Sequence, residues 1–353
     1  MDFFGIILWP IKWVIEAVLV GFHWLFDSIG LDGEPGLSDL TTANPAGQGV
    51  TWILSIVFLT FVVRSALIPL FVRQIKSQRK MLMLAPEMKR IQDKYRGKKD
   101  QFSREAMSRE TMALYKKHGT NPLSSCIPLL VQMPIFISLF FVLSTAANFA
   151  TQIANLDPSI QPGDPAYPKP GIDGGLVDAN LALSFSNAEI FGAPLHTSIQ
   201  SAGGNVAVWI LAITMIILMT GSQFITQLQI MSKNQTPEMK ASPMYRQQRV
   251  LLYVLPFVFI FSAWAFPIGV MFYWVASNLW TVVQQYIVIR NMPTPGSEAA
   301  LAREARLLKR QQRKGIQVVE VDGNDEPVEP AKPESTQRQQ PVSRKRKKKG
   351  GRR

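Results

Sequence analysis

Carboxylates are missing from four long apolar runs of this chain: no Asp or Glu lies in Val50 to Val72, Ser125 to Ala147, Val206 to Met231 or Val250 to Ile289. Cysteine is almost as scarce. Cys126 is the single one among 353 residues, which excludes an intramolecular disulfide framework. His23, His118 and His196 lie far apart and show no metal-ligand spacing with Cys126. A phosphate-cradling glycine loop and a nucleophile beside a base are also lacking, so an intramembrane enzyme has little support and no cofactor is expected. The chain shows no internal duplication of the kind common in transporters.

What is present is segregated. The formal net charge is +13 and 47% of residues are hydrophobic, but the charge sits in basic blocks and the apolar residues in runs long enough for a membrane. Pro267 and Gly269 break the last run into two helices joined by a tight turn. Five core spans result, over 50–72, 121–147, 206–231, 250–267 and 268–290. The fourth is short for a full crossing, which suits a locally thinned bilayer. The fold class is an all-α polytopic membrane protein with a five-helix core bundle.

Loop charge orients the spans. Arg73 to Lys117 holds fourteen Lys/Arg against five Asp/Glu, and Met231 to Arg249 four against one. Asp27 to Gly49 holds four acidic residues and no basic one, and Asn148 to Asn205 five against Lys169 alone. The positive-inside rule places 73–120, 232–249 and the tail 291–353 in the cytoplasm, with 30–49 and 148–205 outside. The expected location is the plasma membrane, multi-pass. The first segment, 1–29, stays open. Lys12, Glu16, His23 and Asp27 form a narrow polar stripe with Trp9, Trp13 and Trp24 nearby, which suits an amphipathic helix on the outer surface. A sixth span fits the loop charges equally well. Met1-Asp2 offers no basic region for a cleaved signal peptide.

Within the first core span stands Arg64, fourteen positions after Val50 and nine before Arg73. About 13 Å of helix separates it from Arg73, so mid-depth burial is expected over snorkelling to an interface. An arginine at a helix centre costs about 2.5–3.5 kcal/mol on insertion scales and does not shed its proton. The less costly arrangement faces it into a water-filled cavity. Thr60 precedes it by one turn, while Thr220, Gln223 and Gln227 form one polar row and Trp274, Asn278, Thr281 and Gln285 another. These rows either enclose water around Arg64 or bond helix to helix.

The block after the first span reads as a helical hairpin. Leu84, Met88, Ile91 and Tyr95 recur at helical spacing, Gly97 breaks the pattern, and a second helix runs from about Ser103 to Lys117. Met81, Met83, Met88, Met107 and Met112 suit adaptable hydrophobic binding, or pack the hairpin on itself.

Asn121-Pro122, Cys126, Pro128, Gln132-Met133-Pro134 and Phe136 together resemble the second core span of the YidC/Oxa/Alb membrane protein insertases. Pro86-Glu87-Met88 and Met112-Ala113-Leu114-Tyr115 resemble that family's cytoplasmic hairpin. Phe61-Val62-Val63-Arg64 with Pro69 resembles its first core span, and Pro267, Gly269, Tyr273, Trp274, Ser277-Asn278 and Gln284-Gln285 its last. The resemblance runs from about residue 50 to 290, with Trp9 to Phe26 similar to the family's surface helix. It implies a protein that inserts and folds nascent membrane proteins, alone or beside the Sec translocon. It also implies a hydrophilic groove open to cytoplasm and lipid with the arginine on its wall, lined in addition by Gln132 and Tyr273. A long external loop and a basic tail in place of a large periplasmic domain resemble Gram-positive, actinobacterial members.

After Pro293 the chain leaves the membrane class. Glu298 to Lys314 suits a basic helix, and most of the tail beyond it has the composition of disorder. Arg344, Lys345, Arg346, Lys347, Lys348 and Lys349 form a cluster that suits polyphosphate. Ribosomal RNA is the sharp candidate, with anionic lipid headgroups and topology enforcement as alternatives. The function expected is insertion by charge capture at Arg64. An anion channel or carrier using the same positive cavity is the alternative, and an assembly chaperone is the nearest rival.

Overall fold

The computed structural model describes residues 3–31, 45–98, 100–119, 127–157, 159–160, 164, 166–236, 249–250, 253–254 and 264–314. Ten α-helices occupy these residues: α1 Phe3–Ser28, α2 Pro45–Ala66, α3 Ile68–Met83, α4 Ala85–Lys94, α5 Gln101–Lys117, α6 Ile127–Ala154, α7 Ala179–Asn187, α8 Val206–Leu228, α9 Ile268–Asn291 and α10 Glu298–Arg313. A two-residue antiparallel pair, β1 Glu189–Ile190 and β2 Ala193–Pro194, is the described sheet. The all-α polytopic expectation holds. The fourth expected span, 250–267, lies largely outside the described residues, as does the tail cluster from Arg344 to Lys349.

Among the described residues, four segments are long and apolar enough to cross a membrane: Ile7–Ser28, Gly47–Ala66, Leu130–Ala154 and Val206–Lys233. Their limits differ from the sequence expectation where backbone chemistry intervenes. The first core helix ends at Ala66 instead of running to 72, because Pro69 has no N–H for the Ser65 carbonyl. The path still continues, since the Leu67 N–H donates to the Val63 carbonyl at 3.1 Å and the Phe71 N–H to the Leu67 carbonyl at 3.0 Å. The second core helix runs seven residues past Ala147, and the third closes on a π-turn over Gln229–Lys233. Helix α9 begins directly after Pro267, as the Pro267/Gly269 break predicts. Its polar residues, among them Ser277, Asn278, Gln284 and Gln285, make it less apolar than the other long helices. It buries one side among its neighbours, packing chiefly on α8 and α2.

The buried core joins the long helices to the acidic 148–205 loop. That loop is folded, with Phe185, Ala188, Ala193 and Leu195 buried alongside Trp52, Leu143 and Phe149 of the long helices. Trp52 donates from Nε1 to Ser184 Oγ at 3.1 Å and meets the Phe185 ring edge-on at 5.0 Å. Strand β1 lies directly on α2: a Cβ added to Gly49 would stand 1.8 Å from the Glu189 carbonyl oxygen. Only glycine permits that approach. The loop also satisfies the first N–H groups of α9, because the Leu195 carbonyl accepts from Gly269 at 2.8 Å and the Thr197 carbonyl from Ile268 at 3.0 Å.

Helix α1 meets α2 through Phe22, His23 and Phe26, which touch Phe58 and Trp52, six positions apart on α2. It meets α6 through Lys12, whose Nζ stands 4.2 Å from the centre of the Phe141 ring. The polar stripe of α1 has a specific use. Glu16 is fully buried, and its two carboxylate oxygens accept from the Ile172 and Leu176 N–H groups at 3.0 and 2.8 Å. Glycines at 171 and 175 leave room for it, since a Cβ on Gly175 would come within 2.0 Å of Glu16 Oε2. Trp9 Nε1 adds a bond of 2.8 Å to the Asp173 carbonyl.

At the other end, α4 and α5 form the expected hairpin around Gly97, whose φ of 84° suits glycine. Asp100 caps α5 by accepting from the Ser103 N–H at 2.8 Å, which holds its carboxyl below the usual carboxylate range. Glu110 accepts from both Lys94 Nζ and Tyr95 Oη, clasping the two helices. The chain divides into two compact units, 1–305 and 306–353. The described part of the second is the remainder of α10 through Lys314.

Candidate functional site

Arg64 lies in the last turn of α2 and is half-buried. Its Nη2 donates to Ser277 Oγ on α9, and the Phe71 ring stands 5.8 Å from its guanidinium carbon. Ser277 lies nine positions into α9, so about 13 Å of helix precedes it and about 21 Å follows. The expected mid-depth position shifts with the helix limits: α2 runs from Pro45 to Ala66, so Arg64 stands two residues from its end, and a neighbouring helix holds its guanidinium there. Among the described residues, no ion pair includes it.

One turn before Ser277, the Tyr273 hydroxyl accepts a hydrogen bond from Gln132 Nε2 of α6. Ser277 and Tyr273 are both buried, and together they form a polar bridge from α2 across α9 to α6. The bridge is unfinished. Arg64 Nε, Gln132 Oε1 and Asn278 Nδ2 are buried and have no hydrogen-bond partner among the described residues. Leaving a buried polar atom unpaired costs about 1–3 kcal/mol, and more for a charged group. Three such atoms from three helices leave room for polar guests, either water or the polar atoms of another molecule.

The remaining expected site residues divide. Thr60 is fully buried but donates back to the Ile56 carbonyl of its own helix at 2.8 Å, and Thr281 donates to the Ser277 carbonyl at 2.8 Å. Trp274 belongs to an aromatic cluster, stacked on Phe136 at 4.8 Å and edge-on to Phe266 at 5.3 Å. Thr220, Gln223, Gln227 and Gln285 are half-buried, and no side-chain hydrogen bond among the described residues joins them to Arg64. The packed polar positions of α8 are instead Ser222 and Thr226, each bonded to its own helix.

Sequence reasoning chose the row beginning at Trp274, and the contact to Arg64 runs through the adjacent row of Tyr273 and Ser277. Rows one residue apart are separated by only about 100° on a helix, so a list of polar residues does not choose between them. The spacing of four between Tyr273 and Ser277 was the available signal. On the hairpin, Met88 Sδ lies 3.8 Å from Thr111 Oγ1, inside the helix pair. Met107 is half-buried and Met112 exposed, while the side chains of Met81 and Met83 lie outside the described residues.

Comparison with known proteins places this arrangement. The family model described as 60Kd inner membrane protein matches residues 45–295. The chain belongs to the YidC/Oxa/Alb family of membrane protein insertases. It is 38% identical over 354 residues to the membrane protein insertase YidC of Tropheryma whipplei, covering 98% of this chain and 97% of that protein. With the YidC of Bifidobacterium longum identity is 34%, over 97% of this chain and 95% of the other. With the insertase of Streptomyces avermitilis it is 39%, over 87% and 63%. The matched region begins at the first residue of α2 and ends four residues after α9, so it encloses every group of the Arg64 bridge.

Proposed function

We propose that the protein inserts nascent membrane proteins by offering acidic or otherwise polar substrate segments a place beside Arg64. The observation that carries this reading is the guanidinium itself: permanently charged, held inside a membrane bundle, and bonded to a neutral serine instead of a carboxylate. A substrate Asp or Glu, or a peptide carbonyl, satisfies Arg64 Nε, while Asn278 Nδ2 and Gln132 Oε1 take up peptide groups beside it. The apolar part of the same segment moves into lipid along the neighbouring helices. An inside-negative potential favours outward passage of each acidic charge by about 2.3 kcal/mol per 100 mV. No nucleotide step is needed.

In this reading the hairpin end and the C-terminus face the cytoplasm, the Met112 face of α5 meets arriving chains, and α1 lies against the outer surface beneath the acidic loop. The Sec translocon is a second partner in a subset of insertions. The Arg344–Lys349 cluster engages ribosomal RNA, raising the concentration of nascent chain near the groove.

Reconstitution of the purified protein alone tests the assignment. A small single-span substrate with an acidic tail is expected to insert with wild type and with Arg64→Lys, and to fail with Arg64→Ala. Equal insertion by all three removes the charge requirement. Failure of the wild type without Sec, with rescue of folding after Sec insertion, makes the protein an assembly chaperone instead.

A further inference from the structure

The turn between β1 and β2 consists of Phe191 and Gly192, and both have positive φ, 53° and 76°. Two consecutive left-handed residues are what a tight two-residue hairpin demands, and Asn-Gly or Gly-Gly fill it without strain. A phenylalanine there is a sterically unfavourable choice. Nor does burial of the ring repay it, because Phe191 is 85% exposed. A strained backbone presenting a large aromatic outward points to a partner for the ring.

The surroundings say which partner. Asn205, the N-cap of α8, donates from Nδ2 to the Gly192 carbonyl at 3.0 Å, and a Cβ on Gly192 would lie 3.9 Å from Ala207 Cβ. The turn is therefore fixed at the first turn of α8, where the apolar span Val206–Lys233 begins. Beside it α8 exposes Val206, Ile210, Ile213 and Ile217 along the surface that continues into the bilayer. Trp209 and Trp264 meet edge-on at 5.9 Å, both partly exposed. Tryptophans at the end of an apolar run mark the membrane–water boundary. Rigidity completes the picture: β1 is seated on Gly49 of α2, so the turn cannot fold away from that surface.

We propose that Phe191 is a membrane anchor, a ring held at the tip of a clamped hairpin and inserted at the headgroup–acyl boundary of the leaflet on the acidic-loop side. Its occupant is phospholipid. The anchor fixes the loop's height against the bilayer, independently of any role of Arg64.

The test uses a fluorophore that reports polarity. A Cys126→Ser, Phe191→Cys chain labelled with NBD and reconstituted in phosphatidylcholine/phosphatidylglycerol vesicles is expected to emit blue-shifted light. Headgroup and shallow acyl nitroxide lipids should quench it several-fold more than aqueous iodide does. The same label at the exposed Ser108 of the hairpin in place of Phe191 supplies the water-exposed reference. Emission at position 191 matching that reference, with iodide quenching, overturns the proposal. Photoreactive benzoylphenylalanine at 191 in otherwise wild-type chain gives the second readout: adducts to lipid support the anchor, and adducts to a polypeptide alone overturn it. Phe191→Gly should raise the thermal midpoint in detergent by relieving the turn, and a lowered midpoint shows that the ring packs on protein.

Discussion

Two charges of opposite sign sit within this bundle, one fully buried and one half-buried, and their surroundings are opposite too. Glu16 is fully enclosed, with two backbone N–H donors on its oxygens and two glycines cleared away to admit it. Arg64 is half-buried, bonded to one serine hydroxyl, with its Nε unpartnered and further unpartnered atoms around it on α6 and α9. The first is a finished contact, which fastens the loop to α1. The second is unfinished at several points, which leaves room for the polar guests that the proposed receiving role calls for. The acidic-loop end is not uniformly satisfied, since His196 Nδ1 also lacks a partner among the described residues. Burial pushes the His196 pKa down, so it stays a neutral imidazole at pH 7 and carries no charge to place.

Breaking each side should therefore fail differently. Arg64→Ala is expected to lower insertion roughly 10–100-fold, the equivalent of about 1.5–3 kcal/mol of charge-assisted hydrogen bonding, while leaving the thermal midpoint within a few degrees. A large drop in midpoint would place Arg64 on the structural side. Gly49→Ala should do the reverse, costing about 1–3 kcal/mol through overpacking against Glu189, read as a lower melting temperature in detergent before any selective loss of insertion. Glu16→Gln should cost about 1–3 kcal/mol by setting an amide N–H against the Ile172 or Leu176 donor. Faster proteolysis of the 166–177 loop is the expected readout, and an unchanged cleavage rate would show that the cradle is incidental. Ser277→Ala should give a partial insertion defect, smaller than that of Arg64→Ala, because water replaces one neutral acceptor.

The smallest effect belongs to the hairpin. Hydrogen bonds from Lys94 and Tyr95 hold the Glu110 carboxyl below its usual value. A carboxylate lowered in the folded state stabilises above its unfolded pKa, and that contribution disappears as pH falls through the folded value. Spin labels on Arg90 and Ser108 should therefore separate below about pH 4, the usual carboxylate range. In Glu110→Gln the separation should lose its acid dependence.

Much of this was legible in the chain before folding. Carboxylate-free apolar runs and the Pro267/Gly269 break predicted the long helices α2, α6, α8 and α9, because membrane insertion is governed by additive transfer terms that depend on composition. Helix limits were less legible: the break at Leu67 follows from one missing N–H at Pro69, and the apolar pattern runs through it unaltered. Arg64 stood out from the sequence because a fixed charge in an apolar run is rare. Its partner Ser277 did not, because selection among polar rows depends on helix rotation. The Glu16 cradle was read as an interfacial stripe, since its donors come from backbone N–H groups about 160 residues away, which no side-chain pattern encodes. The fold of the acidic loop was not legible, because its buried residues are spread over short elements with no sustained period.

The most direct test couples Arg64 to the substrate's own charge. Insertion by purified wild type and Arg64→Ala is compared for one single-span substrate whose translocated segment carries a lone Asp, and for its Asp→Asn variant. The charge-capture account predicts coupling: Arg64→Ala is strongly defective with the Asp substrate and much less so with the Asn substrate. An equal penalty with both substrates would contradict it, and would reduce Arg64 to a group that serves the bundle alone.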